Sequence, residues 1–155
     1  LKRIDMAHVV FSVLEDLIMA AQRRNIDLGA DLGDDLTVTC IEQLLAALVS
    51  NLVDNAIRYT QEGGHVTVIC KREEEEVVLV VVDNGPGIPA EVRAHVFERF
   101  YRGATDVDGT GLGLAIVQGI ARSHGGTASV APGPGRVGLA ATVRLPAASR
   151  EGTTQ

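Results

Sequence analysis

Along residues 7–22 the apolar side chains Val9, Val10, Val13, Leu14, Leu17 and Ile18 recur at helical spacing, with Glu15 and Asp16 between them. That spacing lays a single stripe along a helix, so an amphipathic helix ending near Arg23 and Arg24 is predicted. Residues 26–40 lose the period. Short apolar stretches alternate there with Asp and Gly, and only 36–40 reads as a strand, at an exposed edge. The helical period returns at Glu42 and runs to Tyr59 through Leu45, Leu48, Val49, Leu52 and Ala56, until Gln61-Glu62-Gly63-Gly64 stops it.

The pattern then changes to strands. Residues 65–71 and 77–82, joined by Arg72 and the acidic run 73–76, predict an antiparallel hairpin. The acidic run reads as a solvated turn whose charge also discourages pairing at the sheet edge. After a loop at 83–89 a short helix is expected over 90–99, with Pro89 suited to its first turn. The glycine-rich stretch 103–113 leads into a further helix ending at His124-Gly125-Gly126, where glycine supplies the left-handed cap. Residues 127–131 and 138–145 close the chain as a hairpin around Pro132-Gly133-Pro134-Gly135, and the small, polar residues 147–155 are expected to fray. Helices and strands are segregated and hairpins outnumber crossovers. The expected class is α+β: a two-layer α/β sandwich of one mixed, mostly antiparallel sheet with helices on one face.

A chain of 155 residues with 46% hydrophobic positions supports one core and not a second domain. Fourteen Lys and Arg against twenty Asp and Glu leave a net charge of −6 with no long basic cluster. A nucleic-acid partner is therefore not expected, because affinity for a phosphate backbone rests on clustered positive charge. A nucleotide is a different case, since backbone N–H groups, one or two Arg and a metal can cancel its charge locally. Cys40 and Cys70 have neither metal-ligand spacing nor the density of a secreted disulfide scaffold, and read as small core residues in a reducing compartment. No wholly apolar run exceeds six residues, against the roughly 20 that span a bilayer, so a soluble segment is expected. It begins with Leu1 rather than Met, as a piece of a longer chain does, and the lack of an apolar span says nothing about the parent.

Four stretches carry chemistry. Asn51, Asn55 and Arg58 follow i, i+4, i+7 on the helix 42–59, next to its apolar stripe. Asparagine is a poor helix former, so two of them a turn apart call for a reason. An Asn carbonyl on Mg²⁺ with Arg58 on a phosphate is one, because Mg²⁺ is usually held by few protein oxygens plus phosphates; an interhelical hydrogen-bond pair is the other. Asp83-Asn84-Gly85-Pro86-Gly87-Ile88-Pro89 follows an apolar strand directly. A carboxylate at a buried strand end can accept from the amino group of adenine, where guanine presents a carbonyl, and Gly85 and Gly87 let the backbone approach a flat ring. Gly109-Thr110-Gly111-Leu112-Gly113-Leu114 opens a helix and so offers N–H groups and a dipole end to an anion. It is neither a P-loop nor a dinucleotide fingerprint, since no Gly-Lys-Ser/Thr follows and Leu114 stands where the last glycine would. Phe97-Glu98-Arg99-Phe100-Tyr101-Arg102 ends in a basic residue just before that stretch, with Arg102 the phosphate candidate.

Taken in chain order, with Phe97–Arg102 before the Gly109 stretch, the four stretches resemble the N, G1, F and G2 boxes of the sensor histidine kinase ATP-binding domain, whose wider superfamily includes gyrase, Hsp90 and MutL. The likeness covers about residues 5–146. It implies a Bergerat-type sandwich over residues 1–146, with ATP and Mg²⁺ as ligands. By the same resemblance Asn55 holds the metal, with Asn51 nearby, and Arg58, Tyr59 and Tyr101 line the nucleotide. Asp83 reads adenine in a pocket shaped by Gly85, Gly87 and Ile88, Arg102 reaches the phosphates, and Gly109, Thr110, Gly111, Leu112 and Gly113 belong to a hinged lid. Asn51, Asn55 and Arg102 are the implied catalytic residues. The sequence departs from the family at Cys40, where an acidic residue is frequent, at Leu139, where Thr is frequent, and in the short lid at 103–108.

The resemblance further implies that the γ-phosphate passes to a histidine on a dimerisation domain of the same parent chain, with a response regulator downstream. The parent is expected to be a homodimeric plasma-membrane protein with this part in the cytoplasm, and the isolated domain a monomer. None of His8, His65, His95 and His124 has the acidic residue and following Pro of the family's acceptor; His124 reads as helix-terminal structure. Two competing functions differ in kind. A gyrase-like ATPase would need a Glu where Asn51 stands, and against a non-catalytic nucleotide-sensing or protein-sequestering module the intact Asn55 and Asp83 argue that the site is not degenerate.

Overall fold

The computed structural model describes residues 1–98 and 113–149. Its elements are β1 (Lys2–Asp5), α1 (Met6–Arg23), β2 (Asp27–Leu32), β3 (Thr37–Cys40), α2 (Glu42–Tyr59), β4 (His65–Glu73), β5 (Glu76–Asp83), α3 (Ala90–Arg93), α4 (Gly113–Ser123), β6 (Thr127–Pro132) and β7 (Leu139–Pro146). Five strands form one sheet in the order β2-β4-β5-β7-β6, with β2 parallel to β4 and every other pair antiparallel. The mixed, mostly antiparallel sheet is thus as expected.

Period-two alternation builds the core. On β4 the inward row is Val66, Val68 and Cys70, on β5 Val77, Leu79 and Val81, and on β7 Ala141, Val143 and Leu145, all buried. Register sets these rows side by side: Val81 pairs with Val68 and Ala141, and Leu79 with Cys70 and Val143. The helices lay their stripes in the same core. α1 contributes Met6, Val9, Val10 and Val13, α2 Leu45, Leu48, Val49, Leu52, Val53, Ala56 and Ile57, and α4 Val117, Ile120 and Ala121. Each fully buried Val or Leu contributes about 1.5–3 kcal/mol.

Polar contacts tie the helix ends together. Asp5 caps α1 by accepting from the Ala7 N–H at 3.0 Å. The Arg24 guanidinium donates to the carbonyl oxygens of Ile57 and Arg58 at the end of α2, where a cation also meets the favourable end of the helix dipole. His124 Nδ1 lies 2.8 Å from the Ile120 carbonyl, while Nε2 accepts from the Ile41 N–H at 3.3 Å. His124 is therefore helix-terminal structure, as its position in the sequence predicts, and it joins the end of α4 to the start of α2.

Four expectations need correction. The strand at 36–40 forms, but it pairs with β1 in a separate two-stranded ribbon instead of edging the main sheet. β1 and β2 went unpredicted. The helix expected over 90–99 ends at Arg93, and His95 and Glu98 continue in three-residue turns onto Val92 and His95; within the described part of this stretch only Val96 is buried, so no apolar stripe rewards a longer helix. Residues 147–149 do not fray. Ala147 donates to Glu75, Ala148 donates to Thr37, and Arg3 reaches the Ser149 carbonyl at 2.5 Å, which ties the ribbon to the sheet. The remainder of the expected tail, 150–155, lies outside the described residues. Among the described residues no helix is long and apolar enough to cross a membrane.

Candidate functional site

The inward row of β5 runs on from Val81 into Asp83, so the fold itself carries a carboxylate to the edge of the core. Asp83 is 9% exposed, and its Oδ1 accepts from the Gly85 N–H at 2.9 Å. Burial pushes this carboxyl above its ordinary value, against the opposite pull of backbone N–H groups from Gly85 and Leu139. A carboxylate keeps acceptor capacity beyond these bonds for a donor from outside.

The loop after Asp83 is shaped by close backbone approach. A Cβ on Gly85 would stand 3.1 Å from the Tyr59 carbonyl oxygen and 3.2 Å from both Asp83 Oδ1 and Thr60 Cα, so this glycine fits where α2 ends. Gly87 has φ 75°, and a Cβ there would come within 3.1 Å of the Gly138 carbonyl oxygen. Asn84 fastens the loop to β4: its Oδ1 accepts from the His65 N–H at 2.7 Å. Ile88 is half-buried, and its carbonyl accepts from Arg93 at 2.7 Å. Tyr59 stands at the end of α2 with 39% of its surface exposed.

A second cluster forms one to two turns back along α2. A Cβ placed on Gly113, the first residue of α4, would lie 3.3 Å from Asn55 Oδ1 and 3.5 Å from Asn51 Oδ1. The two amides thus converge on the start of α4, and a helix N-terminus, whose first N–H groups have no intrahelical partner, favours an anion. Asn51 also donates from Nδ2 to the Ala47 carbonyl at 2.8 Å, a bond within its own helix. Eight residues separate Asn51 from Tyr59, which is about 12 Å along a helix axis. The Asp83 loop against the end of α2 and Gly113 against Asn51 and Asn55 are thereby held apart along one rigid element.

Arg58 lies on the outer side and pairs with Asp54 at 2.9 Å, both partly exposed. Tyr101, Arg102, Gly109, Thr110, Gly111 and Leu112, and the short lid at 103–108, lie outside the described residues. Among those described, no cluster of three His, Cys, Asp or Glu side chains is placed to hold a metal. Mg²⁺ suits this donor set nonetheless, since it takes few protein oxygens and completes its shell with phosphate and water; the Asn55 carbonyl at an anion-favouring helix end is such an oxygen.

Two residues at the site escaped the sequence reading. Thr60 is completely buried at the end of α2, and its Oγ1 has no hydrogen-bond partner among the described residues. Gly138, with φ 70°, packs on the backbone of Asp83 and Asn84. Their only sequence signals were a polar residue just after a helix and a glycine at the start of a strand.

Residues 40–149 match the family model for histidine kinase-, DNA gyrase B-, and HSP90-like ATPases. Over 143 residues the chain is 38% identical to the sensor histidine kinase RppB of Synechocystis, covering 89% of this chain and 31% of that protein. It is 36% identical over 148 residues to the sensor-like histidine kinase SenX3 of Mycobacterium tuberculosis, covering 93% of this chain and 36% of the relative. The chain thus spans about a third of the length of these relatives. Among solved structures, the mycobacterial sensor histidine kinase MprB superposes with a TM-score of 0.83 at 33% identity, over 96% of this chain and 99% of that one. The catalytic domain of the histidine kinase ThkA gives 0.85 at 26% identity, over 94% and 95%. The chain belongs to the histidine kinase-, DNA gyrase B-, and HSP90-like ATPase family, as an ATP-binding catalytic domain of the sensor histidine kinase kind.

Proposed function

We propose that this domain binds ATP with Mg²⁺ and positions the γ-phosphate for attack by a histidine on a dimerisation domain of its parent chain. The observation that carries the reading is the convergence of Asn51 and Asn55 on Gly113, which brings an amide pair and a helix N-terminus to one point. Phosphoryl transfer asks mainly for positioning and charge neutralisation, and amides, backbone N–H groups and a metal supply both. Asn55 is the proposed metal ligand, and Asp83 is the acceptor for the amino group of adenine, with Gly85, Gly87 and Ile88 around the ring. Tyr59, Arg58 and Gly113 line the nucleotide, with Tyr101, Arg102 and the 109–112 stretch completing the phosphate end.

The setting proposed for the domain is cytoplasmic, within a homodimeric membrane-bound parent, with a response regulator as the downstream partner. A water-activating ATPase is the weaker reading, because the Asn51 amide cannot take a proton and its nitrogen is engaged on Ala47.

Titration calorimetry with ATP, in the presence and absence of Mg²⁺, tests the assignment on wild type and Asn55→Ala. Wild type should bind more tightly with the metal, and the variant should show the same affinity in both conditions. Equal Mg²⁺ dependence in the two proteins would remove Asn55 from the metal site.

A further inference from the structure

The loop after Asp83 rests on the segment that follows α2. A Cβ on Gly85 would stand 3.1 Å from the Tyr59 carbonyl oxygen, Gln61 Nε2 donates to the Asn84 carbonyl at 3.2 Å, and Asn84 Oδ1 accepts from the His65 N–H at 2.7 Å. Whatever holds residues 59–65 therefore also holds this loop. The helix end does not close on itself. Thr60 leaves α2 in an extended conformation, with ψ 140°, and its N–H serves only the Ala56 carbonyl. The next carbonyls, of Ile57 and Arg58, belong to the last turn of a helix, where no intrahelical N–H remains for them.

Their donor comes from another element. Arg24, the half-buried C-cap of α1, gives Nη1 to the carbonyl oxygens of both Ile57 and Arg58, the second at 3.0 Å. Its own carbonyl accepts from the Gly63 N–H at 3.1 Å, so the side chain and backbone of one residue bracket 59–62. Neighbours in the same turn add to the grip. Asn25 sits at φ 55° and its Nδ2 donates to Glu62 Oε2 at 3.2 Å, while the Asp27 N–H donates to the Gly64 carbonyl at 2.9 Å. Residues 59–65 are thus clasped between the turn after α1 and the loop after Asp83. Bonds from a charged donor are the strong ones of this set, so the clasp depends most on Arg24.

We propose that Arg24 is a positioning residue of the nucleotide site: through the end of α2 it fixes where Tyr59, Asn84 and Gly85 stand, without itself touching the nucleotide. The inference rests on the nucleotide reading above and deepens it. Lysine can replace this contact in large part. A single nitrogen, Nη1, serves both carbonyls, and an ammonium carries three donors at one point; a site that used the planar fork of arginine would not accept the exchange. Methionine keeps the apolar stem and removes every donor.

The test compares ADP, ATP and AMP binding by calorimetry on the 155-residue chain, for wild type, Arg24→Met and Arg24→Lys, at a temperature where melts show each protein folded. Arg24→Met should weaken all three nucleotides by the same factor, about 5–10-fold, the size of one or two hydrogen bonds. Arg24→Lys should recover most of that loss. A lower Tm with unchanged affinities would make Arg24 merely structural, and a loss that grows with the number of phosphates would make it a remote charge; either result overturns the proposal. Hydrogen exchange on wild type carries the test where a variant folds poorly. Coupling is reciprocal, so ADP should slow exchange at the Gly63 and Asp27 N–H groups more than at Ala147, which is bonded to Glu75 beyond the opposite end of β4 and β5. Equal slowing at the three amides would likewise overturn the role of Arg24. Wild type that binds no nucleotide would instead overturn the nucleotide reading, a result distinct from binding that is indifferent to Arg24.

Discussion

Gly138 rests directly on Asp83: a Cβ at Gly138 would overlap the Asp83 carbonyl oxygen and stand 2.9 Å from the Asn84 Cα. Since Asp83 pairs with Leu139 in the sheet, the start of β7 forms the floor under the carboxylate and its loop. The left-handed φ of 70° at Gly138 fits that packing, and a side chain there meets both backbone strain and a collision.

Gly138→Ala should accordingly cost about 2 kcal/mol or more, since αL strain alone in a non-glycine residue costs about 1–3 kcal/mol. Urea unfolding reads the loss, and ATP affinity should fall with it because the carboxylate moves. An alanine variant as stable as wild type would mean that this floor yields without cost.

Asp83 trades stability for its site. Its carboxyl is raised above the ordinary value by burial, so the folded state holds the proton more tightly than the unfolded one. The resulting stability is present below the ordinary carboxylate pKa of about 4 and is lost as pH rises through the raised folded value. At pH 7 the buried charge is therefore a burden. Asp83→Asn should raise Tm at pH 7, lose that gain as the pH falls below 4, and abolish ATP binding. Thermal melts across pH, set beside calorimetry, check the three together; a lower Tm at pH 7 would contradict the burial argument.

How far the sequence could be read follows from where its information is local. α2 was legible to the residue, because seven buried positions repeat at the helical period and Gln61-Glu62-Gly63-Gly64 ends them. β4, β5 and β7 were legible because alternation and turns lie next to one another along the chain. β2 was not: Asp27-Leu-Gly-Ala-Asp-Leu offers only Leu28 and Leu32 to the core, and it forms by parallel pairing with β4, across all of β3 and α2. β1 has one apolar residue, Ile4, and exists because β3 is there to pair with it. The same contrast holds at the site. Asn51, Asn55 and Asp83 were visible as polar residues in apolar settings, whereas Gly138 and Thr60 acquire meaning only from contacts across the sheet and the helix end. The Arg58 pairing with Asp54, one turn away, was likewise not anticipated.

Both cysteines should be inert in the folded protein. Cys40 and Cys70 are buried and unpaired, and burial pushes the Cys70 thiol up to about 12 and that of Cys40 upward as well. The thiolate is the reactive form, so at pH 8 an aromatic disulfide reagent should label neither until denaturant is added, and then both. Rapid labelling of one thiol under native conditions would show that its part of the core opens.

The last prediction concerns turnover. His124 is occupied between Ile120 and Ile41, His95 faces Glu98 at 2.7 Å, His65 lies 3.4 Å from Asp27, and none of these lies at the convergence of Asn51, Asn55 and Gly113. His8 sits on the exposed side of α1. With no histidine presented to the proposed phosphate end, and an amide at position 51 that cannot activate water, the chain by itself should bind ATP without labelling itself or hydrolysing it appreciably. Supplying the parent's dimerisation domain as a separate chain should produce an acid-labile phosphohistidine on that added chain. Holding the acceptor against the γ-phosphate replaces a bimolecular encounter, an effect worth roughly 7–11 kcal/mol when the geometry is right. Radiolabelled ATP followed by acid and base treatment distinguishes the outcomes. Labelling of the chain alone would place an acceptor on this chain and overturn the prediction, and turnover near about 1 per second, the lower end of typical enzyme rates, would favour the water-activating reading over phosphotransfer.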